Sequence, residues 1–528
     1  MAIVVEQLNK LRLDCLDAAW VQAIYYAEFL EFGDFPPEYE SVVETLEVQS
    51  IFRHIMKSVD QWLVPDTEAS EEKSWATLSQ QVQHDRVLAI LAYYIDHGCK
   101  NVVTKEYRNN ALLASRVYYK LLSVPGYKAY HIYHSQLFAH SLACLSFPKS
   151  MCDNEENYFN TKELTREVNS VIKELRHFVV DLRAIMEQLQ LNPTDMNFED
   201  ILSNLVDITG GAIVHKLNID KIELTNISRV IYEMIDILVC DTSREPNTTA
   251  LRLLFKCLLP KLVASSLDCR NANNLVRASY VTYSGLLLSK YGKAALSGYT
   301  VLLQHLCYSL DGLERAEVRA ARVSLVVGLM SLLPRKSYRK IVKWLLQLSS
   351  TSKVLHRQIA MEMLASLLSN DPEEVKPLED AKAHNMETSE KSTEAENKQN
   401  DGEQPQNPQE AEATENQSRT ENINDETLPK DNMATDDESS QELPTAKEQE
   451  QEVTEEDIAG LLRARPHTAP HGDILRALHE RVHDVSSTLR TRALALLADC
   501  VASGRAPMIQ AIKELNGSGP VSRLMAVG

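Results

Sequence analysis

At 528 residues the chain exceeds what one compact core accommodates, so it is either several domains or an array that grows by repetition. Hydrophobic residues at 44% can supply buried surface along most of it, and only 17 glycines, against an average near ~7%, exclude a turn-rich β architecture. The net charge of −19 is confined rather than general: residues 371–455 alone hold 26 Asp/Glu against 7 Lys/Arg, which leaves the remainder neutral.

From the first residue onward the pattern is helical. Glu6, Lys10 and Arg12 lie where a secretory leader would need an apolar run, so the expectation is a soluble intracellular chain. Residues 1–110 read as an N-terminal helical region, followed by a solenoid over 111–370. There, 111–122 carries an apolar face of Leu112, Leu113, Val117 and Leu121, Pro125-Gly126 breaks it, and 130–145 resumes with Ile132, Leu137, Phe138 and Leu142. Striped segments follow at 163–190, 220–240, 248–265, 272–290, 296–310, 315–333, 338–349 and 353–369. Breaks are expected at Pro193, Gly210-Gly211, Pro246, Pro260, Gly292 and Pro334. The uncharged stretch from Ala294 to Leu310 is 17 residues long and includes Gln304 and His305. A membrane span needs about 20 apolar residues, so this stretch predicts a buried helix, not a membrane segment. No period-2 alternation at hairpin spacing occurs, so strands are not expected.

Residues 371–455 contain no Phe, Trp or Tyr and are rich in Glu, Gln, Asn, Thr and Asp. Such a composition cannot offset chain entropy by burial, and it predicts a disordered acidic insert. Residues 456–528 read as a continuation of the repeats.

A periodicity underlies the helices. Apolar–Arg pairs open helices at Val276-Arg277, Val318-Arg319 and Leu355-His356-Arg357, placing the arginines 42 and 38 residues apart. Units of about 40–47 residues are the signature of HEAT or armadillo arrays. After the insert, Asp484 followed by Leu489-Arg490 and Ala493 fits the same pattern. An Asp at a helix start caps orphan amides, an inner-helix Arg pairs with the Asp of the next unit, and a small Ala admits a neighbouring helix. Arg277, Arg319, Arg357, Asp484, Arg490 and Ala493 are accordingly expected to hold repeat to repeat. The expected fold is all-α: an α-solenoid of HEAT-type antiparallel helix hairpins, interrupted by the disordered acidic insert.

Signs of catalysis are few. The Gly285 to Lys293 stretch imitates a phosphate loop, but six residues separate Gly285 from Gly292, and Ala294 stands where Ser or Thr would hold magnesium. His131, His134 and His140 are grouped on one expected helix without a carboxylate or thiol to complete a metal shell. The nine cysteines form no CxxC pair and read as small buried hydrophobes. No catalytic residue, cofactor, metal or small-molecule substrate is expected.

One feature has chemical direction. Residues 251–357 carry 17 Lys/Arg and 4 Asp/Glu, and 312–357 carry ten against two. Arg335, Lys336, Arg339, Lys340 and Lys343 fall within about two turns, and with Lys353 and Arg357 they form a candidate phosphate-contacting surface. The absence of an aromatic RNA motif or zinc finger points away from sequence-specific readout. In the insert, Thr435 and Ser439 sit in an acidic context suited to acidophilic kinases.

Several stretches taken in order resemble the HEAT-repeat D-type regulatory subunit of condensin II, in its N-terminal portion. Leu16 to Val21, Glu28-Phe29 and Asp34 to Pro37 are similar to that family's opening segment, and Tyr118 to His134 to its helix–Pro-Gly–helix hairpin. Cys269 to Asn271, Leu302 to Cys307, Trp344-Leu345 and Ser349 to Arg357 follow in register. The family continues beyond the point where this chain ends, so an isoform, fragment or truncated form is expected. The resemblance implies a non-enzymatic subunit, nuclear and chromosome-associated, acting in mitotic chromosome condensation. It would bind the kleisin subunit, approach the SMC ATPase subunits, and contact duplex DNA. The alternative on the residues alone is an importin-like or coat-adaptor-like α-solenoid that binds peptide cargo.

Overall fold

Apolar residues three and four apart give each helix one stripe that must be covered, and the chain covers the stripes by laying helix against helix. In α4 (Val48–Leu63), for example, Val48, Phe52, Ile55, Met56, Val59 and Trp62 are all buried. The computed structural model describes residues 1–33, 35–43, 45–64, 72–153, 161–209, 221–267, 271–369, 470–503 and 512–513. The expected acidic insert, Gly210-Gly211, Asp34, Cys269-Arg270, Thr435 and Ser439 lie outside them. Contacts divide the chain into two units, Met1–Glu373 with Thr454–Gly528, and Glu374–Val453. The fold reported below is that of the first unit.

Before α4 come α1 (Ala2–Asn9), α2 (Ala18–Tyr26) and α3 (Pro37–Val43). After it come α5 (Trp75–Leu78), α6 (His84–Lys100), α7 (Lys105–Leu122), α8 (Ser135–Leu142) and α9 (Phe147–Asp153). Next are α10 (Thr161–Leu189), α11 (Phe198–Thr209), α12 (Lys221–Val239), α13 (Thr248–Leu267) and α14 (Asn271–Tyr308). The series closes with α15 (Ala316–Ser331), α16 (Arg335–Leu348), α17 (Val354–Ser369), α18 (His471–Arg481) and α19 (Ser487–Ala502). Neighbours in sequence pair, as α6 does with α7, α13 with α14, and α18 with α19; alternate helices then stack, α4–α7–α10–α12 in one row and α15–α17–α19 in another. The fold is an all-α solenoid. Among the described residues the one departure from helix pairing is an isolated bridge between Cys240 and Pro246.

Two expectations need correction. Pro260 does not end a helix; it lies inside α13, which continues to Leu267. The break expected at Gly292 is present: its φ of 50° and ψ of −118° leave helical geometry, so α14 consists of two helical segments that meet there. The helix expected from residue 130 begins only at Ser135, because His131 adopts φ 51° and the amides of Tyr130 and Ile132 bond back into the turn at Gly126 and Tyr127. Gly98 has a packing role: a Cβ there would sit 2.4 Å from the Tyr107 carbonyl oxygen, so only glycine lets α6 and α7 cross this closely.

The stacked row shares one device. Arg319, Arg357 and Arg490 each occupy the fourth position of their helix, and each Nη1 donates to the carbonyls six and five residues back. Arg319 reaches Leu313 and Glu314 at 2.7 and 2.9 Å, Arg357 reaches Thr351 and Ser352 at 2.9 and 2.7 Å, and Arg490 reaches Asp484 and Val485 at 2.9 and 3.0 Å. The other arm crosses to the next helix of the row or to the turn leading into it. Arg357 donates from Nε and Nη2 to the two oxygens of Asp484, both at 2.9 Å, and Arg319 pairs with Glu362 at 3.4 Å. Ala493 is fully buried in α19. Arg277 differs: its guanidinium bonds the Ser265 carbonyl oxygen at 3.0 Å, twelve residues back.

The same geometry appears far earlier, at a residue the repeat pattern did not single out. Arg108 is the fourth residue of α7, donates from Nη1 to Val102 and Val103 at 2.8 and 2.6 Å, and pairs with Glu167 of α10 at 3.0 Å. A polar residue four places ahead, Thr104 before Arg108 and Ser486 before Arg490, is the shared sequence signal, though too short to be specific alone.

Burial by itself would raise the Asp484 pKa, but the Arg357 guanidinium and the Ser486 amide outweigh it and hold the carboxyl below its ordinary value. A depressed folded pKa contributes stability above the unfolded value near ~3.9, and that contribution is lost as pH falls through the folded pKa. Asp484→Ala, which leaves Arg357 buried and unpaired, is expected to cost about 3 kcal/mol in urea unfolding, whereas Arg357→Met with Asp484→Leu recovers most of it. The gap between the native chain and Asp484→Ala should close as pH is lowered below ~4 in the same assay.

Candidate nucleic-acid interface

α16 is built from a sharp division of side chains. Tyr338, Ile341, Val342, Leu345 and Leu348 are buried, at spacings that mark one helix face. The opposite face is cationic: Arg335, Lys336, Arg339, Lys340 and Lys343 are all exposed, and the helix contains no Asp or Glu. Pro334 begins the helix with a fixed φ and no side-chain cap. Arg335 and Lys336 therefore stand where the helix already presents its positive end, an arrangement that costs stability until an anion relieves it.

Some exposed or half-buried cations elsewhere in the fold are matched, while others, such as Lys57, Lys173 and Lys293, make no ion pair among the described residues. Lys120 meets Asp60 and Asp181 at 2.8 and 3.1 Å, Arg116 meets Asp181 at 2.7 Å, and Lys256 meets Glu199 at 2.6 Å. Among the described residues no such ion pair is made by any of the five α16 cations, nor by Lys353, which is exposed in the turn to α17. At 1.5 Å per residue the helix carries these charges over about 12 Å, long enough to meet more than one phosphate of a duplex.

Arg357 does not belong to this surface. It is buried, and its guanidinium is occupied by Asp484 on one side and by the Thr351 and Ser352 carbonyls on the other, so no donor is left for a phosphate. It lies four residues from Lys353 and faces inward.

The other sequence candidates do not converge. His134 precedes α8 and packs edge-on to Tyr25 with ring centres 5.3 Å apart, while His140 reaches the side chain of Gln136 at 2.8 Å; burial lowers both imidazole pKa values. Among the described residues no group of three or more His, Cys, Asp and Glu could hold a metal ion. Gly285 and Gly292 are both within α14, and Lys290 is bound to Asp236, so the imitation phosphate loop forms no anion cradle. No described helix is long and apolar enough to cross a membrane.

The stacked hairpins and their arginine ladder define the class: an α-solenoid scaffold. Residues 20–176 match the family model described as condensin-2 complex subunit D3-like, N-terminal domain. The chain is 21% identical over 429 residues to condensin-2 complex subunit D3-L of Xenopus laevis, covering 70% of this chain and 28% of that protein. It is 20% identical over 420 residues to condensin-2 complex subunit D3 of Mus musculus, covering 67% of this chain and 27% of that one. The chain spans just over a quarter of the length of these relatives. No solved structure matches it.

Since the α16 cations are exposed and make no ion pair among the described residues, reversing Arg335, Lys336, Arg339 and Lys340 to Glu is expected to leave helicity by circular dichroism unchanged and the melting temperature within a few degrees of the native chain.

Proposed function

We propose that the chain is a regulatory scaffold of the condensin II type, binding the kleisin subunit and standing beside the SMC ATPase subunits. In this reading it acts in mitotic chromosome condensation in the nucleus, performs no chemistry itself, and contacts duplex DNA through α16. The observation that carries the DNA contact is the stripe of five exposed cations on one helix that contains no Asp or Glu, without ion-pair partners among the described residues. The condensin-2 relatives support membership of that complex. Readout would be insensitive to sequence, since exposed lysines and arginines on one helix neutralise phosphates without holding base edges.

Anisotropy of a labelled 30-base-pair duplex between about 50 and 200 mM salt tests the contact. Each phosphate contact contributes about −0.9 to the log–log salt slope, so the four-residue reversal should weaken binding at least tenfold and flatten the slope by about 3. Affinity and slope that stay unchanged would remove DNA from the reading. Affinity purification from nuclear extract followed by mass spectrometry is expected to return kleisin and SMC peptides; transport cargo in their place would favour the adaptor alternative.

A further inference from the structure

α16 has two unlike flanks. At 100° per residue, Lys340 and the half-buried Trp344 mark one flank; Lys336 lies about 20° from Lys343 but about 10 Å nearer the helix start, while Arg339, Lys343 and Leu346 cluster within roughly 60° on the other flank. That second flank faces the start of α18 across an open groove of about 910 Å³, walled there by Pro470 and Asp473 and floored by Val342 and Leu346. Asp473 is paired with Arg476 at 3.7 Å, whereas Arg339 and Lys343 have no carboxylate partner among the described residues. The groove thus joins two free cations to an apolar floor under a wall that bears a carboxylate.

We propose that this groove is a docking site for an extended segment of a protein partner carrying two acidic residues and an apolar residue at alternate positions. It uses the flank of α16 that faces α18, leaving Lys336 and Lys340 for the proposed duplex contact. The spacing argues for an extended peptide. Arg339 and Lys343 are one turn apart, a rise of about 6 Å, and same-face side chains of an extended chain repeat every ~6.6 Å. A third such position, ~6.6 Å further, falls between Leu346 and Ser350, where an apolar side chain meets the floor. A nucleic-acid backbone fits less well, because it gains nothing from Val342 or Leu346 on the groove floor. Main-chain extension with pockets for alternate side chains is a recurrent way of binding peptides.

The test uses the full chain and a fluorescein-labelled peptide, Gly-Glu-Ser-Glu-Ser-Leu-Gly, read by polarisation. Saturable binding is expected, weakened at least tenfold by Arg339→Glu with Lys343→Glu, and similarly when Gln replaces both Glu in the peptide. Leu346→Ser should cost severalfold, while Lys336→Glu with Lys340→Glu should change peptide binding less than twofold and weaken the duplex. Equal loss of peptide binding from both pairs of reversals would overturn the groove, as would equal affinity for the neutral peptide. Peptide binding that emerges only after residues 371–455 are replaced by an equally long Gly/Ser linker would overturn a partner in favour of the chain's own acidic stretch. Duplex binding, in place of peptide binding, that depends on Arg339 and Lys343 would overturn it in favour of nucleic acid. A duplex affinity indifferent to Lys336 and Lys340 would count against the proposed DNA contact alone and leave the peptide result to stand by itself.

Discussion

A stack of helix hairpins has no central core against which each layer could be aligned, so the angle between one unit and the next must be set locally. In this chain a guanidinium sets it. The planar fork of arginine offers donors in two directions at once. At Arg108, Arg319 and Arg357 one direction ties down the turn that precedes the helix; the other reaches a carboxylate on the next helix of the row for Arg108 and Arg319, and for Arg357 one in the turn leading into it. Burying such pairs costs desolvation that their attraction only partly offsets, so the ladder contributes orientation more than net stability. The apolar stripes supply the driving force; the arginines say at what angle it is satisfied.

The same economy explains what is left outside. An arginine at the fourth position of an inner helix is turned into the stack and consumed there, whatever the local charge density suggests. Lys353 and Arg357 are separated by one turn of chain, yet one is exposed and the other is closed in by Asp484. α16 belongs to the outer layer, and its hydrophobic face is complete without its cations. Those cations are therefore available, on both flanks, for groups from outside the fold.

Buried ionisable groups elsewhere are structural. Tyr118, Tyr119 and Tyr299 are fully buried, and burial raises each phenol well above its ordinary pKa. Tyr118 donates to the Ile132 carbonyl oxygen at 3.2 Å, and Tyr299 to that of Leu329 at 2.7 Å, while the Tyr119 and Ser141 hydroxyls lie 2.8 Å apart. Each ties one helix to another element.

Helix content, the absence of strand patterning and the forty-residue period were legible in the sequence because they depend on spacing along one chain, which a repeat displays openly. The charge division was legible too, since α16 could not bury five cations within two turns. Three things were not. Whether Pro260 ends a helix depends on the packing around α13, which carries the helix past a missing hydrogen bond. The fate of Arg357 depends on Asp484, 127 residues away along the chain. Arg108 shares the clamp without an apolar–Arg signature or a regular spacing to reveal it, for its partner Glu167 is supplied by a helix brought near only by stacking. Local order follows from periodicity; which charges are spent inside and which remain outside is decided by distant segments meeting, and only the tertiary structure brings those together.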